Sequence, residues 1–134
     1  MKISMKGKYA LLLMMDLAEK DGGDPVSLKD IAARQEISEK YLEQVVALLN
    51  KGGLVRSVRG SQGGYRLLKK PFDYTVGEIL RVTEGNMALS IGEDDAACNA
   101  LWEKIDNAVG DVVNNVTLED MLSWKHESMY DYCI

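Results

Sequence analysis

A glycine-rich, basic segment in the middle of the chain constrains the fold more than any other feature. Residues 59–64 contain three glycines and lie between two short β-prone runs, residues 54–58 and 65–68. Short β-prone runs joined by a glycine-containing loop predict a β-hairpin. Arg56, Arg59 and Arg66 make this hairpin positive. The chain therefore carries a small, basic two-stranded element among segments whose apolar spacing is helical.

Three helices are predicted before the hairpin. The first spans about residues 6–20 and ends at a Gly- and Pro-containing turn, and the second runs from a Ser27 cap to about Gln35. The third begins at Ser38 and has apolar residues at 42, 45, 46 and 49, the spacing of a helix that packs on a core. Three short helices followed by a basic hairpin are the order of a winged helix-turn-helix. We therefore predict a mainly α fold with a small β-hairpin wing.

The outward-facing polar residues of this half form a candidate DNA-binding surface. The N-terminal residues of a recognition helix enter the major groove, where polar side chains contact bases or phosphates. A glycine-rich tip carrying an arginine suits a minor groove or the DNA backbone. The candidates on the third helix are Ser38, Lys40, Tyr41 and Gln44, and those on the hairpin are Arg56, Arg59, Gly60 and Ser61.

The second half of the chain is predicted to be helical. One helix starts at a Thr75 cap and runs to about Glu84, a loop covers residues 86–95, and a long helix spans about 97–115. A last helix is capped by Thr117 and ends near Lys125. The stripe of the long helix is too long for the small N-terminal part to cover, so it predicts a shared dimer core. Its members are Leu101, Ile105, Val109, Val112 and Val116.

Charge divides the chain in two. The formal net charge is −5, which alone argues against nucleic acid, but residues 1–72 carry thirteen Lys/Arg against eight Asp/Glu. Residues 73–134 carry three against thirteen. We therefore predict a DNA-binding domain over residues 1–72 and an acidic dimerisation and signalling region over residues 73–134.

Several other classes of protein are disfavoured. The apolar runs are too short for a membrane helix, the N-terminus lacks a signal peptide's apolar stretch, and two cysteines make a poor disulfide framework, so we expect a cytoplasmic protein. No catalytic constellation surrounds the single histidine, His126, so we expect no enzyme. A phosphate cradle at residues 59–64 is discounted because the nucleotide-binding Gly-Lys pattern is absent. A winged helix that binds a protein instead of DNA remains the alternative.

These motifs in combination resemble the Rrf2 family of bacterial winged-helix transcription regulators. The similarity covers nearly the whole chain and is concentrated in residues 1–10, 38–44, 58–67, 75–79, 101–102 and 117–120. The resemblance implies a homodimer joined by the long helix, which reads a pseudo-palindromic operator with its third helices in the major groove and its wings in the minor groove.

The cysteines bear on the cofactor that some family members hold. Those members bind an iron–sulfur cluster through three cysteines in the loop before the long helix, whereas this chain has only Cys98 there. Cluster ligation needs several thiolates or comparable ligands close together, so we expect no cofactor. A redox or stress sensor acting through Cys98, near a helix N-terminus that lowers a thiol pKa, stays open as an alternative.

The cluster-free branch of the family implies a regulatory target and a protein partner. It implies repression of sulfur-uptake and cysteine-synthesis genes, and binding to the enzyme O-acetylserine thiol-lyase. Serine acetyltransferase docks onto that lyase through a C-terminal isoleucine, which Ile134 resembles. A terminal carboxylate beside an apolar side chain suits capture by a backbone nest and a pocket. Tyr132 and Ile134 are therefore the predicted partner-binding residues.

Overall fold

The structure is a computed structural model that describes residues 3–85 and 95–132, with side chains described as far as residue 128. It is mainly helical with one hairpin, as the sequence predicts. No helix in these ranges combines the length and the apolar composition that a membrane-spanning segment requires. The elements are α1 (Met5–Glu19), α2 (Leu28–Gln35), α3 (Glu39–Lys51), β1 (Val55–Val58), β2 (Gly64–Leu67), a 3₁₀ turn (Pro71–Asp73), α4 (Val76–Glu84), α5 (Ala96–Val113) and α6 (Leu118–Tyr132).

Hydroxyl side chains cap several helices, including the predicted starts at Ser27, Ser38 and Thr75. Ser27 Oγ accepts the Asp30 N–H at 3.1 Å and begins α2. Ser38 Oγ accepts the Tyr41 N–H at 3.3 Å at the start of α3. At α4, Thr75 Oγ1 accepts the Glu78 N–H at 3.1 Å. Each bond satisfies a backbone donor that the helix leaves unpaired, so these predicted starts are confirmed.

An apolar core of described residues surrounds α1. Leu13 of α1 is fully buried with Leu42 and Leu49 of α3. Ile79 of α4 and Leu118 of α6 are also fully buried and belong to the same cluster. The helices after residue 72 therefore pack on the same α1 that supports the helix-turn-helix.

A buried carboxylate joins α1 to α2. Asp16 is 7% exposed, and its Oδ1 accepts the Arg34 Nε at 3.1 Å. The Arg34 Nη2 lies 3.0 Å from the same oxygen, and Gln35 Nε2 donates to Oδ2 at 3.1 Å. A buried charge is tolerated only when it is paired and hydrogen-bonded, so these contacts hold α2 in one orientation on α1.

The hairpin pairs with a third extended segment. β1 and β2 are antiparallel, and β2 also pairs with Val26, whose N–H donates to the Tyr65 carbonyl at 2.9 Å. The returning Tyr65 N–H donates to the Val26 carbonyl at 2.8 Å. A Cβ at Gly64 would collide with that carbonyl oxygen. Only glycine allows the segment before α2 to come this close to the wing.

One predicted helix end in the second half is wrong, and one residue of the predicted stripe lies off its helix. The long helix ends at Val113, and Asn114 caps it, so Val116 lies beyond the helix. The Val116 carbonyl accepts the Val76 N–H at 2.8 Å, beside the antiparallel bridge between Thr75 and Thr117. The last helix runs to Tyr132 and not to about Lys125. No glycine or proline follows Thr117, so nothing in the sequence stops it. The predicted loop at 86–95 lies outside the described residues except at Asp95.

Candidate nucleic-acid interface

The connection between α2 and α3 is a tight left-handed turn. Glu36 ends α2 with φ 54° and ψ 45°, a conformation in which the chain turns sharply after a helix. The Ile37 N–H donates to the Ala32 carbonyl at 3.1 Å, and Ser38 then caps α3. The two helices of the predicted helix-turn-helix are therefore present.

The N-terminal half of α3 presents polar side chains to solvent. Ser38, Lys40 and Gln44 are exposed, while Leu42 and Val45 on the other side are fully buried. Glu43 is also exposed on this surface. The Ser38 oxygen accepts the cap bond, which leaves its hydroxyl hydrogen able to donate to a phosphate or a base. The outer side of α3 thus offers donors and acceptors at the end that a major groove receives.

Tyr41 differs from its neighbours because an aromatic contact holds it. Its ring meets the ring of Tyr9 on α1 edge to face, with centroids 5.3 Å apart and planes at 82°. Such pairs stabilise by about 0.5–1.5 kcal/mol beyond their buried area. Both rings are half-buried. The sequence placed Tyr9 in an apolar stripe and gave no signal for this supporting role.

The wing tip is exposed and built on a glycine turn. Gly60 has φ 118°, a backbone conformation that residues with a side chain rarely adopt. Its carbonyl accepts the Gly63 N–H at 3.0 Å. Arg59, Gly60 and Ser61 are all exposed at this turn. The tip therefore presents one arginine on a narrow loop, a shape that fits a groove.

A buried tyrosine fixes the base of the wing. Tyr74 is fully buried, and its hydroxyl donates to the Leu54 carbonyl at 2.6 Å. The same oxygen accepts the Leu68 N–H at 2.9 Å and the Lys69 N–H at 3.1 Å. The chain entering β1 and the chain leaving β2 are thus tied to one phenol. Nothing local in the sequence marks Tyr74 for this role, because its partner Leu54 lies twenty residues away.

Three predicted DNA-contacting cations are available to a ligand. Within residues 3–85 and 95–132, the side chains of Lys40, Arg56 and Arg59 make no hydrogen bond and no ion pair. Arg66 is different, because its Nη2 donates to the Gly23 carbonyl at 3.0 Å and ties the wing to the turn after α1. The free cations lie on the α3 and wing surfaces, where phosphates would supply the missing partners.

The predicted dimer residues lie on a helix that the described part of the chain leaves largely exposed. No residue of α5 is buried, and Leu101 and Val112 are 50% and 61% exposed. Ile105 and Val109 are half-buried on the same stripe, and Val116 is half-buried beyond the helix end. An apolar stripe of this length on an uncovered helix is typical of an interface.

Cys98 lies in the first turn of α5 beside its cap. Asp95 Oδ1 accepts the N–H groups of Ala97 at 2.8 Å and Cys98 at 3.0 Å. Hydrogen bonds from the Cys98 backbone, the Cys98 side chain and the Ala97 backbone lower the pKa of the Asp95 carboxyl. The Asp95 carboxylate is therefore charged at neutral pH. The cap weakens only when the pH falls below the usual pKa of an aspartate carboxyl.

The chain offers few ligands for an iron–sulfur cluster. No group of three His, Cys, Asp or Glu side chains in the described ranges is placed to hold a metal ion. The sequence holds two cysteines and one histidine, and His126 Nε2 lies 2.8 Å from Glu19 Oε1. Cys133 lies outside the described residues. The donors present do not fit a cluster held by several thiolates of one chain.

The capped helix pair, the glycine-tipped wing and the free cations define a winged helix-turn-helix DNA-binding protein. The model of the Rrf2 family, described as an iron-dependent transcriptional regulator, matches residues 3–123. The chain therefore belongs to the Rrf2 family. It is a transcription regulator and not an enzyme.

Known relatives resemble the chain over most of its length. The HTH-type transcriptional regulator CymR of Bacillus subtilis is 47% identical over 126 residues, which cover 92% of this chain and 91% of that protein. The structure of that protein, the global cysteine regulator of B. subtilis, matches with a TM-score of 0.86 over 92% and 98% of the two chains. The T. potens IscR structure matches at 48% identity with a TM-score of 0.83, over 96% and 90%.

Proposed function

We propose that this protein is a homodimeric, sequence-specific repressor of sulfur and cysteine metabolism genes. In this proposal, α3 enters the major groove of a pseudo-palindromic operator and the wing enters the minor groove. The observation that carries it is the set of unpaired cations and exposed polar side chains on α3 and the wing. The likeness to a global cysteine regulator supports the choice of target genes.

The proposal assigns a task to each part of the chain. Residues 1–72 contact the DNA, and residues 73–134 dimerise and receive the signal. The exposed apolar stripe of α5 supports a second copy as its cover, because an isolated chain would leave Leu101 and Val112 in water. The negative charge of residues 73–134 repels DNA, so that DNA approaches the protein through α3 and the wing. We further infer that the repressor works without an iron–sulfur cluster, because the chain offers too few ligands.

A salt series tests DNA binding. Fluorescence anisotropy of the DNA upstream of the protein's own gene is expected to show specific binding that weakens steeply as salt rises, because phosphate contacts release counterions. Binding that is absent at low salt, or equal for unrelated DNA at every salt concentration, would contradict the proposal and favour a protein-binding winged helix.

Removing the wing arginine is expected to weaken binding. Arg59→Ala takes one exposed cation from each wing tip, so the affinity for operator DNA should fall about tenfold or more. Lys104→Ala on α5 removes one positive charge outside the proposed DNA-contacting surface and outside the apolar stripe, and should leave the affinity within about a factor of two. Equal affinities of the Arg59 and Lys104 variants would remove the wing from the interface.

The proposal includes a protein partner, O-acetylserine thiol-lyase, contacted through Tyr132 and Ile134. Its support is the resemblance to the cysteine-regulator branch. The last helix, α6, ends at Tyr132, two residues before Ile134 in the sequence. Ile134 itself lies outside the described residues.

Deletion of Ile134 is expected to abolish binding to the lyase, because the proposed pocket would lose both its apolar side chain and the correctly placed carboxylate. Titration calorimetry against the purified lyase measures this loss, and light scattering checks that the dimer survives. An unchanged affinity of the shortened chain would reject the partner assignment and leave the DNA-binding proposal intact.

A further inference from the structure

A cleft lies beside the wing, on the side where the turn after α1 meets β2. Its volume is about 480 Å³, within the usual range of small-ligand sites. The walls come from the turn at Gly22 and Gly23, from β1 and β2, and from the chain after β2 around Lys70. The cleft shares Arg56 with the proposed DNA-binding surface, but its walls contain no residue of α3.

Two arginines face each other across the hairpin at this cleft. Arg56 of β1 is the register partner of Arg66 of β2, and both line the cleft. Side chains at paired antiparallel positions lie about 4.5–5.5 Å apart at Cβ, and like charges placed so are destabilising. In the residues that the structure describes, neither guanidinium has a carboxylate partner. An anion between them would remove this repulsion.

Arg66 also carries an unused donor. Its Nη2 donates to the Gly23 carbonyl, but its Nε is shielded from solvent and has no hydrogen-bond partner among the described residues. A buried polar group without a partner is costly, and the guanidinium edge matches carboxylate and phosphate oxygens in a bidentate manner.

The other charges around the cleft favour a small anion. Basic side chains outnumber acidic ones in the lining. Asp21 is engaged by Lys70 at 3.4 Å, whereas Lys20 has no ion pair within the described ranges. Asp24 and Asp73 line the cleft as well, but both are exposed, where water screens their charge.

We propose that this cleft is an anion-binding site in which Arg56 and Arg66 hold a phosphate or carboxylate group. The bound anion neutralises the facing arginines and links the turn after α1 to the wing. The site takes either a free small anion or a backbone phosphate of bound DNA, since the recognised chemistry is the same.

Titration of the full-length protein with inorganic phosphate at constant ionic strength tests this site. Arginine Nε–Hε signals in ¹H–¹⁵N correlation spectra report on each guanidinium. We expect a saturable shift of the Arg66 signal. Arg56→Gln should weaken the apparent phosphate affinity about tenfold or more, because it removes a charge-assisted contact. Arg59→Gln removes an equal charge at the wing tip, outside the cleft lining, and should leave the affinity unchanged.

A second arm separates the two sources of the anion. If the site takes a free anion, phosphate still shifts Arg66 when a DNA duplex is bound. If it takes a DNA phosphate, the duplex alone shifts Arg66 and abolishes the response to inorganic phosphate. The proposal is overturned if Arg66 shows no saturable shift with either probe, or if Arg59→Gln weakens phosphate binding as much as Arg56→Gln does.

Discussion

Replacing Tyr74 by phenylalanine is expected to lower the free energy of unfolding by about 2–4 kcal/mol. The hydroxyl donates to the Leu54 carbonyl and accepts the N–H groups of Leu68 and Lys69. The ring is fully buried, and the phenylalanine ring would occupy the same place. The Leu54 bond is buried, so its carbonyl would have no substitute partner, while the two amides regain water in part. Urea unfolding followed by circular dichroism measures the difference through the midpoint.

Tyr65→Phe is the matched control for Tyr74→Phe. Tyr65 lies on β2 and is half-buried, but its hydroxyl makes no hydrogen bond to any residue that the structure describes. Loss of this hydroxyl should change stability by no more than about 0.5 kcal/mol. If the two variants unfold at the same urea concentration, Tyr74 does not hold the base of the wing.

Charges placed on the exposed stripe of α5 are expected to give a monomer with weak DNA affinity. Leu101→Glu with Val112→Glu changes two residues that are at least half exposed in the single chain, so the fold itself should tolerate both. In a dimer both carboxylates would be buried without partners, which is strongly unfavourable. Because linked half-site contacts raise affinity by about 10²–10⁴-fold, operator binding should fall at least about 100-fold.

Analytical sedimentation of the wild type and the double variant measures the oligomeric state. An affinity titration with the same operator fragment measures the loss of DNA binding. Asn107→Glu is the control, since Asn107 is exposed on another side of α5 and should leave dimer and DNA binding unchanged. A double variant that remains dimeric would show that another surface joins the copies. A monomer that binds the operator as tightly as the wild type would contradict the proposal that a dimer recognises the operator.

Local signals predicted the helix starts and the wing well. Ser27, Ser38 and Thr75 cap helices because short hydroxyl side chains reach a nearby backbone N–H, a contact that depends only on the next few residues. The wing followed from glycines between β-prone runs, and Gly60 takes the positive φ expected of such a turn. The Rrf2 family membership expected from the motifs is confirmed by the family match over residues 3–123.

Contacts between distant segments were not predictable in the same way. The Tyr9 and Tyr41 rings, and the three bonds of Tyr74, depend on how α1, α3 and the wing pack. Ser4 donates to Glu84 Oε1 through its hydroxyl at 2.6 Å and its N–H at 3.0 Å, across eighty residues of sequence. Val116 was placed on the long helix by apolar spacing, which does not reveal that its backbone must pair with Val76. The DNA-contacting residues and the dimer stripe stay predictions.

The most direct test of the central claim is to sequence the DNA fragments that the purified dimer selects from its own genome, with and without the lyase. We predict enrichment of a pseudo-palindrome with two inverted half-sites about one or more helical turns apart, upstream of sulfur and cysteine metabolism genes. The lyase should alter how strongly these fragments are selected. Selection of no common sequence, or of a single unrepeated half-site, would contradict a dimeric repressor that reads DNA with α3 and the wing.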